Sequence, residues 1–174
     1  MYAINRNRKS GFTLVEILIV VIILGILAAI VIPQFTNASQ DARKSSLVSQ
    51  LQTIRAQLEL YKLQHRDLYP TSSGLPAGTW DWTKMTSKSN EDGTTTGGTL
   101  LLGPYLQAAP RNSISSIPDP TSVAQAASYA GAGATVATAS GWAFSQGDGK
   151  FYACNKTGVK IFDEGNLAAT ANEE

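Results

Sequence analysis

Residues 12–32 read FTLVEILIVVIILGILAAIVI, and this stretch decides the fold. Eighteen of its 21 residues are apolar, and the exceptions are Thr13, Glu16 and Gly25. At about 1.5 Å per residue, a helix of this length spans about 31 Å, close to the ~30 Å hydrocarbon core of a bilayer. The stretch therefore predicts a membrane-spanning helix.

The charges that flank this stretch predict its orientation. The residues before it include Arg6, Arg8 and Lys9, whereas Asp41, Arg43 and Lys44 follow it. The positive-inside rule then places the N-terminal tail in the cytoplasm and the bulk of the chain across the membrane. A removable secretory signal is disfavoured, because its apolar run would be only about 7–15 residues long.

Glu16 is the only charged residue in the apolar stretch. A carboxylate inside a membrane span costs about 3 kcal/mol or more, so such residues usually have a function. One interpretation is that Glu16 reaches the cytoplasmic interface, although acidic side chains are short for this. The other is a buried ion pair with a cation from another chain.

Residues 9–35, KSGFTLVEILIVVIILGILAAIVIPQF, resemble the class III signal of type IV pilins and type II secretion pseudopilins. The shared pattern is a short basic leader ending in glycine, then phenylalanine, then glutamate as the fifth residue after the cut. Gly11, Phe12 and Glu16 match these positions. The resemblance implies that a prepilin peptidase removes the leader, residues 1–11, and methylates the new Phe12 amine.

The resemblance also implies roles for three residues of the stretch. Glu16 is expected to pair with the N-terminal amine of a neighbouring subunit as a filament grows, so that two groups costly in lipid neutralise each other. Gly25 and Pro33 match family positions and bracket a segment that is expected to loosen on assembly, because glycine weakens a helix and proline kinks it. Close helix packing is the alternative role for Gly25.

Residues 33–66 are predicted to continue the same helix with one apolar face. An apolar stripe recurs at spacings of three and four, which is typical of an amphipathic helix. We call these residues the helix stripe: Leu47, Leu51, Ile54, Leu58 and Tyr61. A coiled coil is disfavoured because the pattern lasts about two heptads. We therefore predict one kinked helix from Phe12 to about Arg66, with His65 on its solvated surface.

Residues 67–174 are predicted to form a loop-rich head. Gly, Ala, Ser, Thr and Pro make up 46 of the 71 residues from 71 to 141, and such a segment buries little apolar area. We expect short ordered pieces at 80–82 and 100–106 and a linker at 121–141. Trp80 and Trp82 are expected to anchor a loop rather than to form an exposed binding patch.

The end of the head is predicted to be an antiparallel β-meander over about residues 142–162. Its strands are expected at 142–145, 150–154 and 159–162, with a tight turn at Gly147-Asp148-Gly149. The apolar face of the meander is expected to pack on the helix stripe. The predicted fold is therefore α+β and pilin-like, with a long kinked helix, a loop-rich middle and a small meander.

A looser resemblance continues into the head. Residues 58–75, 103–114 and 141–154 are similar to segments of major, G-type pseudopilins. The calcium loop of that family is not clearly present, and residues 121–141 look like an insertion. Cys154 is the only cysteine, so the disulfide of many type IV pilins is excluded. We expect Cys154 to be a buried small residue.

The resemblance implies a structural subunit that polymerises into a type II secretion pseudopilus for protein secretion across the outer membrane. The partners it implies are further copies, a prepilin peptidase, an inner-membrane assembly platform with its ATPase, and minor pseudopilins. The location it implies is the inner membrane for the precursor and the periplasm for the filament. The alternative is a type IV pilus pilin for adhesion, motility or DNA uptake, assembled with minor pilins into a surface filament.

Composition argues against other classes of function. The net charge is +1, which gives no basic face for nucleic acid. No phosphate-binding glycine loop is present and there is one histidine, so we expect neither an enzyme nor a histidine metal site. Asp148, Asp163 and Glu164 carry the oxygens that calcium prefers, but closely spaced ligands are missing. We therefore predict a solvated acidic surface without a cofactor.

Overall fold

The structure, a computed structural model, describes residues 11–75, 78–119, 121–126, 128–129 and 131–166. The chain divides into two compact units, Met1–Gln40 and Asp41–Glu174. Within the described ranges, the helices and strands are α1 (Leu14–Gln64), α2 (Thr83–Thr86), β1 (Val123–Ala126), β2 (Trp142–Ser145) and β3 (Phe151–Ala153). Except for Gly11, the predicted leader lies outside the described residues.

Helix α1 runs unbroken for 51 residues and ends close to the predicted residue Arg66. Its end is a tight turn, in which the Asp67 amide donates to the Lys62 carbonyl at 2.8 Å. Arg66 and Asp67 both adopt the left-handed conformation, with φ of 54° and 61°. Helices commonly stop at a left-handed residue, although glycine is the usual choice there.

The three strands form one mixed sheet in the order β1-β2-β3. β2 and β3 pair antiparallel as a hairpin, and Phe144 faces Phe151. β1 pairs parallel with β2, and Val123 faces Trp142. The α+β class with a long apolar N-terminal helix and a small sheet is thus confirmed, whereas the fully antiparallel meander is corrected to a mixed sheet.

The strand predicted at residues 159–162 is wrong, because these residues form only isolated bridges. Lys160 bridges to Thr135 and Ile161 bridges to Cys154. Beyond Phe162 a side-chain contact stands in place of further pairing with β3: Nε of Arg55 donates to the Phe151 carbonyl at 2.9 Å.

The tract at 121–141 is also not the predicted linker, because it contains β1. Alanine, which supplies two of the four residues of β1, is depleted in strands, but pairing with a buried neighbour overrides that preference.

The core of the head lies on both faces of the sheet. Every residue of β2 is buried, and its side chains alternate between the two faces. The face towards α1 holds the larger cluster: Leu47, Leu51, Ile54, Leu58, Trp80, Trp142, Phe144, Phe151, Ala153 and Phe162. The other cluster contains Ala124, Tyr129, Val136, Ala143, Cys154 and Ile161. The predicted linker therefore covers the back of the sheet.

Candidate functional site

The start of α1 is held by a capping box between Thr13 and Glu16. Oε2 of Glu16 accepts the Thr13 amide at 2.8 Å and the Thr13 hydroxyl at 2.9 Å. In return, the Glu16 amide donates to the Thr13 hydroxyl oxygen at 3.2 Å. Such reciprocal bonds satisfy donors that a helix start leaves unpaired. The box does not use Oε1 of Glu16, so that oxygen can accept a further partner.

The residues just before α1 are open to solvent in the described chain. Gly11 and Phe12 precede the helix and are exposed, Phe12 at 85%. A Cβ added at Gly11 would meet no heavy atom of the described chain within 4 Å. The chain is therefore accessible on both sides of the 11–12 bond.

The apolar first part of α1 is exposed in the described chain. Every residue from 11 to 32 is exposed, although most of them are large and apolar. By length and composition, α1 contains a stretch that can cross a membrane. A surface this apolar on a soluble monomer marks a site of contact with lipid or protein.

Two predicted features of this stretch are still predictions. Gly25 lies within unbroken helix, and a Cβ added there would meet nothing within 4 Å in the described chain. The side chain of Pro33 lies outside the described residues. The loosening expected at these two positions concerns an assembled state.

The head half of α1 places the helix stripe against the sheet. Leu47, Leu51, Ile54 and Leu58 are each at most 2% exposed and lie in the larger cluster. Tyr61 is also buried, but it lies in a separate cluster with Met85 and Tyr105. Four residues of the helix stripe therefore pack against the sheet, and the fifth, Tyr61, packs against α2 and the loop that follows it.

His65 corrects the expectation of a solvated residue, because it is fully buried. Its ring stacks on Tyr61 at 3.9 Å, Nδ1 lies 2.8 Å from the Tyr61 carbonyl, and Nε2 lies 2.8 Å from Oγ of Ser89. A carbonyl can only accept, so Nδ1 donates to it, and Nε2 shares a hydrogen bond with the Ser89 hydroxyl. Its position, four residues after Tyr61, continues the helix stripe, a signal that the sequence reading missed.

The two tryptophans anchor a loop. Trp80 is 8% exposed and lies 4.7 Å from Phe151, centroid to centroid. Trp82 is half-buried, packs edge-on against Trp80, and donates its indole N–H to the Thr121 carbonyl at 2.8 Å. This arrangement corresponds to the predicted anchor and not to a binding patch.

The three carboxylates considered for calcium have other partners. Glu164 accepts two hydrogen bonds from the Arg55 guanidinium, each of 2.8 Å. Oδ1 of Asp163 accepts the Gly165 amide at 3.0 Å, and Asp148 lies 3.6 Å from the Lys150 ammonium. Among the described residues, no group of three or more His, Cys, Asp or Glu side chains converges.

Sequence reasoning missed two arrangements. Thr13 and Glu16 have the Thr-x-x-Glu spacing of a capping box immediately before an apolar run, and this signal was available. The Arg55–Glu164 pair joins residues 109 positions apart, and no local pattern predicts it.

Comparison with known proteins supports the resemblance found at the N-terminus. Residues 6–32 match the family described as the prokaryotic N-terminal methylation motif. A type II secretion system core protein G of Pseudomonas aeruginosa is 42% identical over 73 residues, which cover 42% of this chain and 51% of that protein. The core protein G of Dickeya chrysanthemi is 40% identical over 71 residues, covering 41% and 46%.

The core protein G of Escherichia coli is 35% identical over 69 residues, which cover 40% of this chain and 48% of that protein. The matched regions thus span about half the length of these relatives. No solved structure matches the chain significantly. The comparisons confirm the pilin-like resemblance. The methylation motif and the uncovered apolar helix fit a membrane-anchored precursor.

Proposed function

We propose that the chain is a structural subunit that polymerises through its apolar helix into a type II secretion pseudopilus. In this role it takes part in protein secretion across the outer membrane and is not an enzyme. One observation carries the proposal: the methylation motif continues into a helix whose first apolar residues, up to residue 32, are exposed in the described part of the chain. Similarity to proteins named core protein G supports this role over a surface pilus.

The first proposed step is processing. A prepilin peptidase cleaves between Gly11 and Phe12 and methylates the Phe12 amine. The exposure of both residues and the open space at Gly11 support this step, because a peptidase must reach the bond. The capping box persists after cleavage, since Thr13 keeps its amide and its hydroxyl.

The second proposed step is docking of subunits through Glu16. The capping box engages only Oε2, which leaves Oε1 to receive the Phe12 amine of a neighbouring subunit. Both charges are costly in lipid when unpaired, and pairing them lowers that cost. A neighbouring subunit with a different axial offset cannot form the ion pair between Glu16 and the Phe12 amine, so Glu16 sets the register of the filament.

The proposed location follows from these steps. The precursor lies in the inner membrane with its N-terminus in the cytoplasm, and the assembled filament lies in the periplasm. The partners are further copies, the prepilin peptidase, the assembly platform with its ATPase, and minor pseudopilins. The basic residues before Phe12 and the uncovered apolar stretch support this topology.

Substitution of Glu16 tests the proposal. Glu16→Val removes a charge from the apolar segment, so we expect normal or better membrane insertion. Filament yield should nevertheless fall steeply when the variant is the only subunit. Cell fractionation measures insertion, and electron microscopy of filaments counts assembly.

Asp41→Val is the matched control, because it removes an exposed carboxylate of the same helix outside the apolar stretch. Its filament yield should equal that of the wild type. Wild-type filament yield from Glu16→Val would show that the Glu16–amine pair is not needed. A protein isolated from membranes with residues 1–11 still attached would contradict the processing step.

A further inference from the structure

Residues 159–162, the predicted third strand of the meander, contact β3 only briefly, and the backbone pairing ends at Phe162. The Asn155 amide donates to the Lys160 carbonyl and the Phe162 amide donates to the Ala153 carbonyl, both at 2.9 Å. Continued in the same register, the next hydrogen-bonded pair would join the backbones of Phe151 and Glu164.

Arg55 occupies the position of that missing pair. Its Nε donates to the Phe151 carbonyl at 2.9 Å, and its two terminal nitrogens donate to the Glu164 carboxylate at 2.8 Å each. The guanidinium also lies 5.7 Å from the centre of the Tyr152 ring. Glu164 is therefore connected to β3 by hydrogen bonds of the Arg55 side chain and not by backbone pairing.

Hydrophobic contacts of the described residues do not fix the chain around Glu164. We call residues 163–166 the C-terminal segment. It contributes no side chain to the hydrophobic clusters of the described residues, whose last member is Phe162. Asp163 instead folds the segment into a turn by accepting the Gly165 and Asn166 amides. Local opening of such a segment does not require the core to open.

We propose that Arg55 and Glu164 form a latch that fixes the C-terminal segment to α1 and opens without unfolding of the head. The planar fork of arginine suits this role, because it binds a carboxylate through two bonds while Nε holds the strand. Their side chains are 31% and 25% exposed, so ions in solution reach the pair. Opening the latch releases Glu164 from Arg55, whereas the bond from Nε of Arg55 to the Phe151 carbonyl does not involve Glu164.

Hydrogen exchange of the full chain in detergent micelles tests the latch. Glu164→Gln should speed amide exchange in the C-terminal segment by about tenfold or more, because hydrogen bonds to charged groups are strong. Exchange in β2 and the denaturation midpoint by tryptophan fluorescence should stay near wild-type values. Arg55→Gln should behave in the same way.

Glu59→Gln is the matched control, since Glu59 forms an exposed pair with Lys62 on the same helix at 3.4 Å. It should leave exchange in the C-terminal segment unchanged. Raising the salt concentration should speed exchange there in the wild type but not in Glu164→Gln. Unchanged exchange in Glu164→Gln would overturn the latch, and so would an equal increase throughout the head.

Discussion

Gly158 illustrates how strongly a single residue can be constrained in this head. It adopts φ of +74°, and an added Cβ would lie 2.7 Å from both the amide nitrogen and the carbonyl oxygen of Ser140. The same glycine accepts the Ser140 amide through its carbonyl at 2.9 Å. Backbone atoms cannot move aside as a flexible side chain can, so only glycine fits.

Gly158→Ala should therefore destabilise the head more than Gly133→Ala. Gly133 has a similar φ of +78°, but a Cβ there would meet nothing within 4 Å in the described chain. Gly133→Ala should cost about 1–2 kcal/mol for the left-handed backbone alone. Gly158→Ala should cost about 1–3 kcal/mol more, through overpacking. Urea denaturation of a fragment beginning at Asp41 measures both, and equal losses would rule out the close contact with Ser140.

Individual residues were predicted well where a local pattern fixed their environment. The helix stripe followed from spacing, and Cys154 is buried as its residue type suggests. His65 was misjudged although its spacing from Tyr61 continues the helix stripe, whereas Arg55 was missed because its partner, Glu164, lies 109 residues away. No periodicity within α1 carries information about such distant groups.

At the scale of elements, α1 forms the floor of the head and the β2–β3 hairpin covers it. Four leucine and isoleucine residues of the helix stripe contact the sheet face that carries Trp142, Phe144 and Phe151. The helix and hairpin were predictable because each has a continuous local pattern. β1 was not, because VAQA acquires its conformation only by pairing with β2.

Leu58→Ala should cost the head about 2–5 kcal/mol, the usual range for a buried leucine. Leu58 is 2% exposed and packs in the larger cluster. Gln52→Ala, on the exposed face of α1, should change stability by less than about 0.5 kcal/mol. Gln57, also polar, is half-buried and is therefore a poorer control. Chemical denaturation of both variants measures the difference, and equal free energies of unfolding would contradict the packing of the helix stripe against the sheet.

At the scale of the whole molecule, Cys154 links stability to pH. Burial raises the pKa of its thiol from an ordinary value of 9.0 to about 12. Above pH 9, the unfolded thiol loses its proton while the folded thiol keeps it. The unfolded state then binds fewer protons, so stability falls as pH rises. This contribution is fully present below pH 9 and is lost between about pH 9 and 12.

The wild type should lose about 1.4 kcal/mol of stability between pH 8 and 10 through this thiol. Cys154→Ala lacks the thiol, so between pH 8 and 10 its stability should fall by about 1.4 kcal/mol less than that of the wild type. Groups shared by the two proteins cancel in the comparison, except Tyr129, because its pKa is raised by burial and also by the charge of the Cys154 thiolate. Urea denaturation at a series of pH values measures the difference, and parallel curves for the two proteins would refute the linkage.

The order of these elements along the chain has a consequence for synthesis. The helix stripe ends at residue 61, and the β2–β3 hairpin that covers it begins at residue 142, about 80 residues later. At about 5–20 residues per second, a ribosome needs roughly 4 to 16 s to make that interval. During this time the helix stripe lacks the hairpin that covers it, and any holding factor must act within that window. A nascent chain that stops before Trp142 lacks the hairpin half of the core, so the head acquires its stability only after β2 and β3 are made.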